Sequence, residues 1–267
     1  MPSNNAYGPQ IVTEGLVCCL DANNPKSYPG AGTTWYALSG HGSNGVNTGV
    51  TFGNGSAITA TDSIASYFIY DGSDDYTIIN DDHAEFMADD TNWTFEVWAC
   101  KDQDNANEYP IIMHYKQDDG YPNLSMYFYG TDGEYDDYGW ACYYDDDQDG
   151  DDTSGGELFS DRNNAIDPEG WGQHIGVYKG GSTAHIGGVY FNGEHISDDG
   201  PQTTANVWKK PVSPDTGGVA IGSSAHSVGN TTHGFEGKIG IIRWYKRALT
   251  HAEIKQNFNA NRSRFGL

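Results

Sequence analysis

Along much of this chain apolar residues recur at every second position in short runs, and turn-forming residues separate the runs. In "WTFEVWACK" from Trp93, "GQHIGVYKG" from Gly172 and "GKIGIIRWYK" from Gly237, apolar and polar or small side chains alternate. That period places successive side chains on opposite faces of a strand. Comparable segments are "GLVCCLDA" from Gly15, "SYFIYDG" from Ser66, "YPIIMHYK" from Tyr109 and "NLSMYFYG" from Asn123. Further along come "YGWACYY" from Tyr138, "IGGVYFNGEHI" from Ile186 and "GVAIGSS" from Gly218. Strand-like runs in such number, with no amphipathic helices between them, predict an all-β fold, a two-sheet antiparallel β-sandwich.

Two local signals are sharper. Asn192-Gly193 sits between alternating runs and suits the positive φ angles of a type I′ hairpin turn. Near the C-terminus "LTHAEIKQNFNANR" predicts a short helix, with Thr250 as N-cap and Glu253, three residues on, as the returning half of a capping box. No repeat or linker divides the chain. Residues 1–14 are expected to form an N-terminal arm and 15–267 a single domain, near the size of about 200–250 residues common for all-β sandwiches.

Charge narrows the partners. The chain carries 37 acidic against 14 basic residues, a formal net charge of −23. Such a field repels phosphate backbones and anionic lipid, so nucleic acid and membrane surfaces are excluded as expected partners. Cations, neutral sugars and other proteins remain. No apolar run approaches the roughly 20 residues of a membrane helix, and "MPSNNAYGPQIVTEG" has neither a basic n-region nor an apolar h-region. The expectation is synthesis in the cytoplasm of a host without a signal peptide, and no membrane insertion. Cys18, Cys19, Cys100 and Cys142 lie in strand-like segments without metal-ligand spacing. They are expected to be buried free thiols, with Cys18 and Cys19 on opposite faces of one strand.

The stretch "GLVCCLDANNPKSYPGAGTTWYALSGHGSNG" (Gly15 to Gly45) is followed in order by "YDGSDDYTII", "WTFEVWA", "GWGQHIGVYKGG", "VYFNGEHI", "AIGSS" and "FEGKIGIIRWYKRALTHAEIKQNFNANRSRF". Together these blocks resemble the concanavalin A-like, laminin G-type jelly rolls common in tailed bacteriophages, marine ones especially. They span almost the whole chain. The match weakens between Asp102 and Asn164, where the acids concentrate, and loops on a fixed scaffold are where such variation falls. The resemblance implies a concanavalin A-like jelly roll with a short C-terminal helix, its first and last strands meeting. It also implies a non-enzymatic structural protein of the virion surface, a capsid decoration or a fibre or appendage subunit serving assembly or host-surface adhesion. Other virion proteins, host-surface glycan and further copies of the chain would be its partners. A free calcium-assisted lectin or adhesin and a glycoside hydrolase are the alternatives, since fold alone does not choose among them.

Three candidate chemistries follow. In "YYDDDQDGDD" from Tyr143, Asp145, Asp147, Asp149 and Gly150 occupy the first, third, fifth and sixth positions of a calcium loop, and Asp151 could add a carbonyl. The twelfth position is Gly156, with Glu157 one residue late, and no helices flank the segment, so it is not an EF-hand. Two readings stand: a surface calcium loop with a Kd of about 10⁻⁴–10⁻³ M, or a solvated acidic bulge. Laminin G-type domains often hold one calcium at the rim, but the resemblance transfers no particular ligands. Secondly, Tyr135, Tyr138, Tyr143 and Tyr144 fall in the same stretch and suit a glycan groove, because aromatic faces stack on sugar rings. The alternative is that alternate members of the tyrosine-rich stretch fill the core or meet a neighbouring subunit.

Thirdly, the E-x-D-x-x-E strand pattern of laminarinase-type glycosidases, which share this fold, is absent. Glu96 is the only acid deep in an aromatic strand, and is expected to be a hydrogen-bonded structural residue or an outward-facing one. Trp171 and His174 are read as structural. There is no H-E-x-x-H, G-x-S-x-G or P-loop motif. The expectation is a protein that is not an enzyme.

Overall fold

The computed structural model describes residues 10–54, 65–79, 92–101, 111–117, 120–128, 140–145, 156–161, 170–179, 188–196, 219–223 and 234–267. Residues 111, 115–117, 120–125, 140–145 and 156–161 are described by their backbone alone. The strands begin with β1 (Leu16–Asp21), β2 (Thr34–Trp35), β3 (Gly45–Thr48), β4 (Thr51–Gly53), β5 (Tyr67–Asp71) and β6 (Tyr76–Ile79). The middle of the chain gives β7 (Trp93–Lys101), β8 (Ile111–Gln117), β9 (Gly120–Phe128), β10 (Trp140–Asp145) and β11 (Gly156–Asp161). The remaining strands are β12 (Gly172–Tyr178), β13 (Gly188–Phe191), β14 (Glu194–His195), β15 (Val219–Ile221) and β16 (Glu236–Tyr245). Helix α1 (His251–Asn261) and a 3₁₀ turn at Arg262–Phe265 end the chain.

These strands form two antiparallel sheets. The first runs β14-β13-β12-β7-β16-β5-β4, with β1 also paired to β16, and the second β11-β10-β9-β8-β15-β6-β3-β2. The ten-residue β16 is long enough to pair with β5 through its first half and with β1 through its second. The first and last strands therefore meet. Every strand segment read from the sequence lies on a strand, but β2, β3, β4, β6 and β11 were not foreseen. The first four have only two to four residues, too few to display a period of two.

The inner layer between the sheets is aromatic. Trp93, Phe95, Val97 and Ala99 alternate inward along β7 and join Tyr178, Ile242 and Trp244 in one buried cluster with Met113, Met126 and Phe128 of the second sheet. Trp93 stacks on Tyr178 with ring centroids 5.7 Å apart. Gly176 lacks a side chain where a β-carbon would collide with Met126 from the opposite sheet. Cys18 belongs to this core, whereas its neighbour Cys19 lies beside Arg243, on the other face of β1. Cys18, Cys19 and Cys100 are free thiols.

A second layer covers the outer face of the first sheet. Ile175, Val177 and Tyr245 pack there against Val12, Leu249 and Ile254, and Trp98 and Ile241 against Phe265. The helix that supplies this cover is capped as expected. Thr250 accepts from the Glu253 amide, and the Glu253 carboxylate accepts from the Thr250 amide at 2.8 Å. The same carboxylate takes two hydrogen bonds from Arg247, at 2.9 and 2.6 Å, which hold its pKa down to about 2. The Asn192-Gly193 hairpin has φ angles of 50° and 84°, both positive as type I′ requires. It docks on the helix through an ion pair between Glu194 and Lys255. Thr250→Ala should lower the unfolding free energy by about 1 kcal/mol through loss of the N-cap, measured by urea denaturation.

Candidate functional site

Glu96, at the middle of β7, points away from the aromatic core toward α1. It is completely buried. One carboxylate oxygen accepts from Arg243 at 2.7 Å, from the Trp98 indole at 3.0 Å and from Gln173 at 3.0 Å. The other accepts from the Asn257 carboxamide at 2.8 Å. Arg243 also donates to Asn261, and Asn257 ties in the Tyr245 hydroxyl and the Val12 amide. Burial disfavours the Arg243 cation, but Glu96, Cys19, Tyr245 and Asp21 around it push its pKa upward overall. A carboxylate so paired and covered has no substrate-facing oxygen. Of the two alternatives for Glu96 the first holds: it is a hydrogen-bonded residue, buried between β7 and α1.

His174, on β12, is buried between the edge of Phe128 and the ring of Phe191, with centroids 4.8 and 5.1 Å away. Desolvation lowers its pKa to about 3, against a smaller opposing effect of a backbone hydrogen bond involving Ala99. The ring is therefore neutral at neutral pH and part of the core. Trp171 packs on Phe265 at 4.8 Å.

Of the acidic and tyrosine-rich candidates, Tyr143, Tyr144 and Asp145 lie on β10. Tyr143 pairs with Ser125 and Glu157, Tyr144 with Leu124 and Gly156, and Asp145 with Asn123. Asp147, Asp149 and Asp151 belong to the segment joining β10 to β11, and Tyr135 and Tyr138 to the one joining β9 to β10. All five lie outside the described residues. Consecutive strand residues alternate between faces, so a surface on one face of β10 draws on only one of Tyr143 and Tyr144. Glu157, one residue beyond the twelfth loop position, is on β11 directly opposite Tyr143.

The structure also brings together Asp71, Asp74 and Asp75, where the chain crosses from β5 in one sheet to β6 in the other. Their carboxylate oxygens lie within 4.8 Å of one another. Asp75 is nearly buried and accepts from the Asp71 amide at 2.9 Å. Its pKa is raised by burial first and by the charges of Asp71 and Asp74 next. A bound cation would relieve that repulsion. The signal "DGSDD" was present in the sequence, but as one block of a family pattern rather than a cluster. Strand register separates it from the other acidic segment. Tyr144 shares a cross-sheet row with Leu124, Tyr115, Val219 and Ile79, whereas Thr77 aligns with Ile221, Met113, Met126 and Cys142. Asp145 therefore leaves the second sheet at one end and Asp75 enters it at the other, so these two carboxylates do not share an ion.

The sequence profile of the concanavalin A-like lectin/glucanases superfamily matches residues 71–255. No curated protein matches the sequence. Among solved structures, a Trypanosoma rangeli sialidase in complex with 2,3-difluorosialic acid is similar with a TM-score of 0.63 at 12% identity, over 98% of this chain. The chain spans only 36% of that sialidase. Domain 4 of AbnA, a GH43 extracellular arabinanase from Geobacillus stearothermophilus, in complex with arabinotriose, has a TM-score of 0.57 at 14% identity, covering 91% of this chain and 98% of the domain. The binding domain of botulinum neurotoxin DC in complex with SialylT has a TM-score of 0.55 at 10% identity, covering 93% and 52%. At these identities the likeness is one of fold.

Glu96→Ala should cost about 3–5 kcal/mol of stability, because it leaves Arg243 buried without its counter-charge; chemical denaturation reads the loss. The neutral His174 gives a separate outcome. Its folded pKa lies below the unfolded value of 6.5, so its contribution is fully present above pH 6.5 and is lost as pH falls toward 3. Between pH 7 and pH 5 the wild type should lose about 2 kcal/mol through this group. That increment should be missing from the pH dependence of His174→Phe, and identical losses in the two proteins would refute a buried neutral ring.

Proposed function

The chain belongs to the concanavalin A-like lectin/glucanases superfamily, and from that premise we propose that it is a non-enzymatic glycan-binding module displayed on a bacteriophage particle. The fate of Glu96 carries this reading. Among the described residues the most deeply buried acid is engaged by Arg243, Trp98, Gln173 and Asn257, which removes it from proton transfer and nucleophilic attack and supports a binding rather than a catalytic role. The fold neighbours crystallised with arabinotriose and with SialylT support a sugar as ligand. The ordered sequence blocks shared with phage jelly rolls support the particle, and with it other virion proteins and identical subunits as partners. In this reading the protein sits on the virion surface, presenting its jelly roll for assembly or host adhesion.

Calcium is the proposed cofactor, held by Asp145 at the end of β10 and by Asp147, Asp149 and Asp151 in the connection that leaves it. Tyr135, Tyr138, Tyr143 and Tyr144 are the proposed glycan contacts of the same region. Purified protein should bind host-surface polysaccharide in millimolar calcium, and an antibody to it should label intact particles. Calorimetric titration should give a Kd for calcium of about 10⁻⁴–10⁻³ M that disappears in the Asp147→Asn, Asp149→Asn double variant. Unchanged calcium binding by the double variant would move the ion elsewhere, and hydrolysis of the polysaccharide by the pure protein would replace the binding module with an enzyme.

A further inference from the structure

The outer face of the first sheet is only partly covered by α1 and the 3₁₀ turn. Among the described residues no helix continues this cover beyond Phe265, and Tyr67, Ile69 and Asp71 of β5 lie on this outer face, beside Lys238 and Glu236 of β16. Ile69 is 36% exposed, Asp71 and the neighbouring Thr51 are exposed, and Tyr67, Lys238 and Trp171 are half-buried. Tyr67 and Trp171 meet with ring centroids 5.7 Å apart at 52°, forming a shallow aromatic corner. The Lys238 ammonium lies over one face of the Tyr67 ring, 5.5 Å from its centroid, which leaves the other face and Trp171 for stacking. On the edge strand β4, Gly53 is paired with Tyr67, and a β-carbon there would collide with the ring. The glycine thus makes the room in which the tyrosine lies.

We propose that this strip, from the Tyr67–Trp171 corner past Ile69 and Lys238 to Asp71 and Glu236, is a subsite for a neutral oligosaccharide. The proposal rests on the glycan-binding reading above but places a contact away from β10. Four features select the occupant. Aromatic faces favour the C–H faces of sugar rings, while Lys238 donates and the two carboxylates accept, which matches vicinal hydroxyls. From Tyr67 to Asp71 the strand rises about 13 Å, room for two or three rings. The paired carboxylates Asp71 and Glu236, within a chain of net charge −23, disfavour sialylated or uronate-bearing glycans.

The test is a panel of immobilised neutral, sialylated and uronate-containing oligosaccharides, followed by calorimetry with the best binder. The intact chain should prefer a neutral member, and Tyr67→Ala and Trp171→Ala should each weaken it about tenfold. Because Trp171 also packs on Phe265, Ile69→Glu at an exposed position serves as the variant that keeps the fold, and it should weaken binding with the unfolding midpoint unchanged. Binding by the intact chain that all three variants retain overturns this subsite and leaves the glycan-binding reading standing. Preference for an anionic glycan, or a change of oligomeric state in the variants without loss of sugar binding, also overturns it. No binding to any member overturns both.

Discussion

Burying a carboxylate and a guanidinium under one helix costs several kcal/mol per ion unless each finds close partners. Glu96 and Arg243 meet that condition only in the complete fold. The four donors to Glu96 come from β7, β12, β16 and α1, elements separated by up to 161 residues. Asn257 then carries the network to the backbone of Val12, while Arg264 clamps Asp21 at the end of β1 with hydrogen bonds of 2.9 and 2.7 Å. A shift of α1 by one residue would withdraw Asn257 and Asn261 and leave the ions unsatisfied. The network therefore fixes the register of the C-terminal segment, which the apolar contacts of Ile254 and Phe265 alone would specify less sharply.

This constraint divides the molecule. The inner face of the first sheet is aromatic and apolar, and most of its outer face is sealed by the helix, the N-terminal segment and the polar network. Among the described residues, chemistry that could meet a ligand lies on the strip beside β4 and at the sheet-crossing cluster Asp71–Asp75. Asp145, at the end of β10, and Asp75 lie at opposite ends of the second sheet, so these two like charges are far enough apart to repel little.

The fold was legible because its strongest signals are local. Trp93 to Val97 alternates apolar and polar side chains, Asn192-Gly193 is a turn with a steric mechanism, and Thr250 with Glu253 closes a capping box over three residues. Short pairings such as Thr34–Trp35 against Gly45–Val46 carry no local period, since they are fixed by Trp35 entering a core built from distant strands. The role of Glu96 was legible only as alternatives: Gln173, Arg243 and Asn257 are remote in sequence, and Trp98, two residues away, carries no mark of being its partner. The Asp71–Asp75 cluster was visible as letters but not as a cluster, because convergence of three carboxylates depends on the turn between sheets. Likewise the Tyr67–Trp171 corner joins residues more than a hundred positions apart, which no spacing rule connects.

The electrostatics favour short-range recognition. At physiological ionic strength the Debye length is about 8 Å, so the field of a chain with net charge −23 decays over a distance smaller than the sandwich itself. Approach of a neutral sugar would gain nothing from that field and approach of an anion would be opposed only near contact. Affinity for a neutral glycan must therefore come from stacking and hydrogen bonds at the surface, interactions that demand rings and polar groups held at fixed separation. Strands anchored by the buried Glu96–Arg243 pair provide that rigidity directly to β16 and, through its pairing with β5, to the strip that carries Tyr67, Ile69 and Asp71.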